Sequence, residues 1–175
     1  MRLDYLTLCI FFVCVLAISG CVDKSSSSPI PIKTDLGEHK VIFNLTPKYN
    51  YEIESQRSDR TPYQSFINWP AYNWSTRKIY DQNDMVRGIT LSIRVFDEPM
   101  DTSMEALEKW DRFSAGKHVP TFSTYTLDRT YLIEEERIEL KAQCWLDKKT
   151  LFSISTLKFD REDFLDILNS LEISQ

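Results

Sequence analysis

Glycine, histidine and cysteine are all scarce in this chain, and each shortage excludes a class of chemistry. Four glycines in 175 residues, none of them clustered, leave no Gly-rich loop to cradle a phosphate. Two histidines, His39 and His118, supply few general bases and no zinc-ligand spacing. No Gly-x-Ser-x-Gly elbow marks a serine nucleophile. Asp81-Gln82-Asn83-Asp84 has oxygen ligands but lacks the spacing, Gly and Glu of a calcium loop, so it reads as a solvated turn. No catalytic residue, metal or cofactor is therefore expected. A net charge of −5 argues against nucleic acid and against electrostatic attraction to anionic lipid. Beyond residue 18 no long apolar run occurs, so the rest reads as a soluble domain.

The start of the chain is different. Arg2 and the amino terminus supply positive charge, and Leu6 to Ile18 is almost continuously apolar. That run is shorter than the roughly 20 residues a spanning helix needs, and it suits an export signal. Ile18, Ser19, Gly20 and Cys21 follow in the order aliphatic, small, small, cysteine. This end resembles the lipobox of prokaryotic lipoproteins. The resemblance implies cleavage after residue 20 and a diacylated, palmitate-type anchor on Cys21 at the extracytoplasmic side of the cell membrane. Two acyl chains hold a protein stably where one does not. An uncleaved N-terminal helix and a plain secretory signal are the alternatives. Cys9 and Cys14 leave with the signal and Cys21 carries lipid, so Cys144 is the one remaining thiol and no internal disulfide is expected. Ile138, Leu140, Ala142 and Cys144 alternate onto one strand face, which makes Cys144 a small buried hydrophobe.

The domains then divide as a signal at 1–20, a lipid-anchored flexible linker at 21–38 rich in Ser and Pro, and a single domain at 39–175. His39–Leu45 alternates as a strand, and 50–55 reads as another. Residues 56–61 read as a polar loop. Residues 63–80 crowd Phe66, Trp69, Tyr72, Trp74 and Tyr80 beside Pro70, and irregular structure with one short strand is expected there. From Arg87 to Phe96 alternation is strict: Ile89, Leu91, Ile93 and Val95 on one side, Thr90, Ser92 and Arg94 on the other, as on a sheet with one face covered.

Thr102 and Glu105 have capping-box spacing before a helical stripe of Met104, Leu107, Trp110 and Phe113, with Gly116 as its stop. Strands follow at 121–127, 131–145 (whole or in two pieces) and 150–157, with a turn at Asp147-Lys148-Lys149. Glu134-Glu135-Glu136 reads as a solvated bend. Asp160 caps a last helix lined by Phe164, Ile167, Leu168 and Leu171. The order is α+β: an antiparallel sheet with helices packed on it. A mid-chain strand, the Thr102-Ser103-Met104-Glu105-Ala106-Leu107 helix start, a hairpin and a closing helix ending Leu168-Asn169-Ser170-Leu171-Glu172-Ile173 resemble the PsbP-like family over about residues 40 to 173. That likeness implies an antiparallel sheet sandwiched by helices and an accessory or binding role without catalysis. The aromatic stretch at 63–80 departs from its pattern.

The functional expectation is a non-enzymatic binding or accessory protein at the cell surface. Trp69, Tyr72 and Trp74, beside Asn68 and Asn73, are the candidate ligand- or partner-binding residues. Such side chains stack on sugars, fill protein interfaces or simply complete a core, so a glycan and a protein partner both stand. Asn44-Leu45-Thr46 and Asn73-Trp74-Ser75 also match the glycosylation triplet.

Overall fold

The computed structural model describes residues 28–48, 50–63, 69–115 and 120–175. The signal sequence, Cys21, Phe66, Asn68, Gly116 and His118 lie outside them. In chain order come β1 (Ile30–Leu36), β2 (His39–Leu45), β3 (Tyr51–Ile53), β4 (Arg57–Thr61), β5 (Tyr72–Asp81) and β6 (Asp84–Phe96). Then follow α1 (Met104–Ala115), β7 (Thr121–Thr126), β8 (Thr130–Glu136), β9 (Glu139–Trp145), β10 (Thr150–Leu157), α2 (Arg161–Asn169) and β11 (Glu172–Ser174). The protein is mostly antiparallel strand with two short helices. No helix among the described residues is long and apolar enough to cross a membrane.

Two sheets form. The large one runs β3-β5-β6-β10-β9-β8-β7, with β4 paired alongside β5; the small one runs β1-β2-β11. The small sheet and α2 cover one face of the large sheet. Along β6, Ile89, Leu91 and Ile93 point into this layer; Phe152 and Ile154 of β10 and Ala142 and Cys144 of β9 join them. Val41 and Phe43 of β2 and Phe164, Ile167 and Leu168 of α2 close it from above. Each fully buried aliphatic or aromatic side chain of this kind contributes about 1.5–3 kcal/mol. Cys144 is fully buried here, and burial pushes its thiol up to about 12. His39 is also buried, at the β1–β2 hairpin, rather than on the surface.

Local chemistry sets the boundaries. Gly37 turns the β1–β2 hairpin with φ 64°, a left-handed conformation that costs glycine little. Asp147 Oδ1 accepts from the Lys149 and Thr150 amides and so closes the turn before β10. Asp160 accepts from the Asp163 amide and caps α2 as expected.

Five expectations change. The linker does not extend to residue 38, because 30–36 pair with β2 and bury Ile32 and Leu36. Pro31 is tolerated because β1 is an edge strand, where a missing N–H breaks nothing. Residues 57–61 are a strand rather than a loop. Backbone pairing with β5, an Arg60–Asp97 ion pair and a Ser58–Ser75 hydroxyl bond hold it. Residues 72–81 form a ten-residue strand instead of an irregular stretch. The helix cap is Ser103, not Thr102: its Oγ accepts from the Ala106 amide and its carbonyl from Leu107. Glu134–Glu136 end β8, and Glu134 is drawn into an ion pair with Lys141.

Candidate functional site

The opposite face of the large sheet changes character along its length. Strand register arranges it in cross-strand rows. Tyr72 pairs with Phe96, and the next row is Trp74, Arg94, Leu151 and Trp145. Then come Thr76, Ser92, Ser153 and Gln143, followed by Lys78, Thr90, Ser155 and Lys141. The first rows are covered. Leu107 of α1 packs with Trp69, Tyr72, Phe96, Leu132 and Leu151 into a second core, edged by Trp110 and Trp145. In the later rows Gln143 and Ser153 are still buried, while Thr76, Thr90, Ser92 and Ser155 are half-buried and Lys78 is exposed.

Trp69 holds the covered half together. Its ring meets Tyr72, Phe96 and Trp110 edge to face at centroid distances of 5.8, 5.4 and 5.5 Å, the geometry that ring quadrupoles favour. It is 8% exposed, so it belongs to the core and does not front a surface. Tyr72 is equally buried but reaches the boundary. Trp74, two residues on along the same face, is half-buried and lines the open half. The three aromatic candidates are therefore neighbours, and their roles divide.

A polar cluster marks the boundary. Lys141 Nζ lies 3.0 Å from Asp111 Oδ1 of α1 and 2.9 Å from Glu134 Oε2 of β8. Gln143 donates to the other Asp111 oxygen. This ties α1 to the sheet through buried charge. Burial pushes the Asp111 carboxyl above the usual carboxylate range, and Lys141 pulls it part of the way back.

Beyond the cluster lies an open cleft of about 510 Å³. Its floor is Thr76, Thr90, Ser92, Ser153 and Ser155; Trp74 and Arg94 stand at one end and Glu139 at the other. An adjoining hollow of about 240 Å³ shares Thr90, Glu139 and Ser155 and runs toward Met85 and Val86. Gly88 deepens it: a β-carbon there would stand 3.0 Å from the Ile79 carbonyl. Thr76 gives its hydroxyl proton to the Leu91 carbonyl. The hydroxyls of Thr90, Ser92, Ser153 and Ser155 make no hydrogen bond among the described residues. The floor thus offers short neutral groups that both donate and accept.

These hydroxyls were not candidates from the sequence. The available signal was the size of the wet residues. A solvated face usually carries Lys and Glu, whose long stems cover the sheet; Thr90-Ser92 and Ser153-Ser155 leave it bare. Among the described residues no group of three or more His, Cys, Asp or Glu is placed to hold a metal. No family model, curated protein or solved structure matches the chain.

Proposed function

We propose that this chain is a lipid-anchored extracytoplasmic protein, tethered through Cys21, that binds a carbohydrate or cell-wall chain without catalysis. The observation that carries the reading is the hydroxyl floor of the cleft beside a half-buried Trp74 that lines it. A sugar needs both parts: donors and acceptors for its hydroxyls, and an aromatic face for its C–H surface. The non-catalytic reading draws support from the position of the thiol. Cys144 is buried on the far side of the sheet from the cleft. A PsbP-like sandwich belongs to the same proposal. Its support is the layering, with α1 on one face of the large sheet and α2 with the small sheet on the other.

A protein partner is the second reading. Met85, Val86 and Ile138 favour it, as large apolar side chains left 75%, 51% and 56% exposed at hairpin ends.

The test is retention on insoluble cell-wall polysaccharide. Ser92→Val with Ser155→Val, both at half-buried positions, keeps strand-compatible side chains and removes two floor hydroxyls. The double variant should unfold like the wild type yet lose retention by about tenfold or more. Unchanged retention would remove the cleft as the site. Cys21→Ser should release the protein from membranes; a variant that stays bound would end the anchor reading.

A further inference from the structure

We infer that the cleft's ligand is an acidic oligosaccharide, with one carboxylate at the Arg94 end and neutral hydroxyls along the remainder. This rests on the reading of the cleft as a carbohydrate site. It goes further by naming the charge and direction of the ligand.

Lys141 faces Asp111 and Glu134 within 3.0 Å, so its ammonium is spoken for. Arg94 lies within electrostatic reach of Asp111 but makes no ion pair among the described residues. Its guanidinium rests 5.7 Å from the centre of the Trp69 ring. Stacking on that buried ring leaves the fork of N–H donors for another acceptor. A guanidinium fork matches a carboxylate with two parallel hydrogen bonds. Trp74 sits directly across the strand pair from Arg94, so the charged group and the stacking face serve the same sugar residue.

The number of charges decides between anions. Lys141 already matches Asp111 and Glu134, Lys78 lines the adjoining hollow near Glu139, and Arg94 is the unmatched cation at the Trp74 end of the cleft. A dianionic phosphate would exceed the single charge of Arg94, whereas a single carboxylate is balanced by it. Glu139 at the opposite end disfavours a second anionic residue, so the charge belongs at one end. Between the ends the floor is neutral, with unbonded hydroxyls on Thr90, Ser92, Ser153 and Ser155. The rows are about 4.8 Å apart across strands and about 6.8 Å along them. From the Arg94 row to the Gly88 row the sheet runs about 20 Å. That length takes a short oligosaccharide rather than one sugar.

Calorimetric titration of the full chain tests this with three probes: tetragalactose oxidised at C6 of its terminal residue to a single uronic acid, unmodified neutral tetragalactose, and tetragalactose carrying a terminal phosphate monoester. The acid should bind at least about tenfold tighter than the neutral form. Arg94→Gln should bring the two together, and Arg94→Lys should keep part of the preference. Coincident thermal unfolding of these variants with the wild type shows that the fold is kept. Equal binding of acid and neutral forms, or a preference that survives Arg94→Gln, would overturn the inference while leaving the carbohydrate reading in place. Tighter binding of the phosphate probe would overturn the single-carboxylate claim. Binding of none of the three would remove both readings.

Discussion

The two faces of the large sheet are built from the same strands and serve different ends. On β6, Ile89, Leu91 and Ile93 enter the layer closed by the small sheet and α2, while Thr90, Ser92 and Arg94 open onto the cleft. On β10, Phe152 and Ile154 face the core, and Ser153 and Ser155 face out. The first face is sealed across β6, β10 and β9, where the small sheet and α2 lie on it. The second is sealed only where α1 and Trp69 reach. A strand's period of two lets one segment carry fold and site at once, so each can be broken separately.

The largest effect belongs to the sealed face. Phe152→Ala removes a fully buried ring and should cost about 3–5 kcal/mol, read as a lower urea midpoint. An effect below about 1 kcal/mol would mean that this face is less well packed than the geometry says. A smaller effect is expected at the boundary of the second face. Because burial raises the Asp111 pKa, the native state holds its proton more tightly than the unfolded chain does. Asp111 therefore favours folding below the ordinary carboxylate pKa of about 4 and loses that contribution as pH rises through its own raised value. Asp111→Asn should flatten the pH profile of stability across that window. An unchanged profile would show that Lys141 fully compensates the buried carboxylate.

Much of the fold was legible because one face alternates cleanly. β2, β6, β10 and the Asp160-capped α2 follow directly from the spacing of their apolar residues. β4 was not legible, since Arg57-Ser58-Asp59-Arg60-Thr61 has no apolar residue and is held by backbone pairing and polar cross-links. β1 was hidden by prolines that an edge strand accommodates. β5 was blurred because both of its faces are covered in part, so Tyr72 and Ile79 are buried on opposite sides.

The candidate site was half legible. Aromatic crowding pointed to Trp69, Tyr72 and Trp74, but their division between core and cleft depends on where α1 lies, and α1 is packed through Leu107 and Asp111 from a distant part of the chain. Arg94 and the hydroxyl rows passed as an ordinary wet face. That three neighbouring strands all carry short polar groups at matching heights emerges only from register.

The most direct test of this division is a paired measurement on Trp69→Ala and Trp74→Ala: urea unfolding and polysaccharide retention on the same preparations. Trp69→Ala should lose about 3 kcal/mol of stability as a core truncation. Trp74→Ala, which trims a half-buried ring at the edge of the second core, should lose clearly less than Trp69→Ala and abolish retention. Equal destabilisation by both, with retention intact in Trp74→Ala, would contradict the account and make the second face structural throughout.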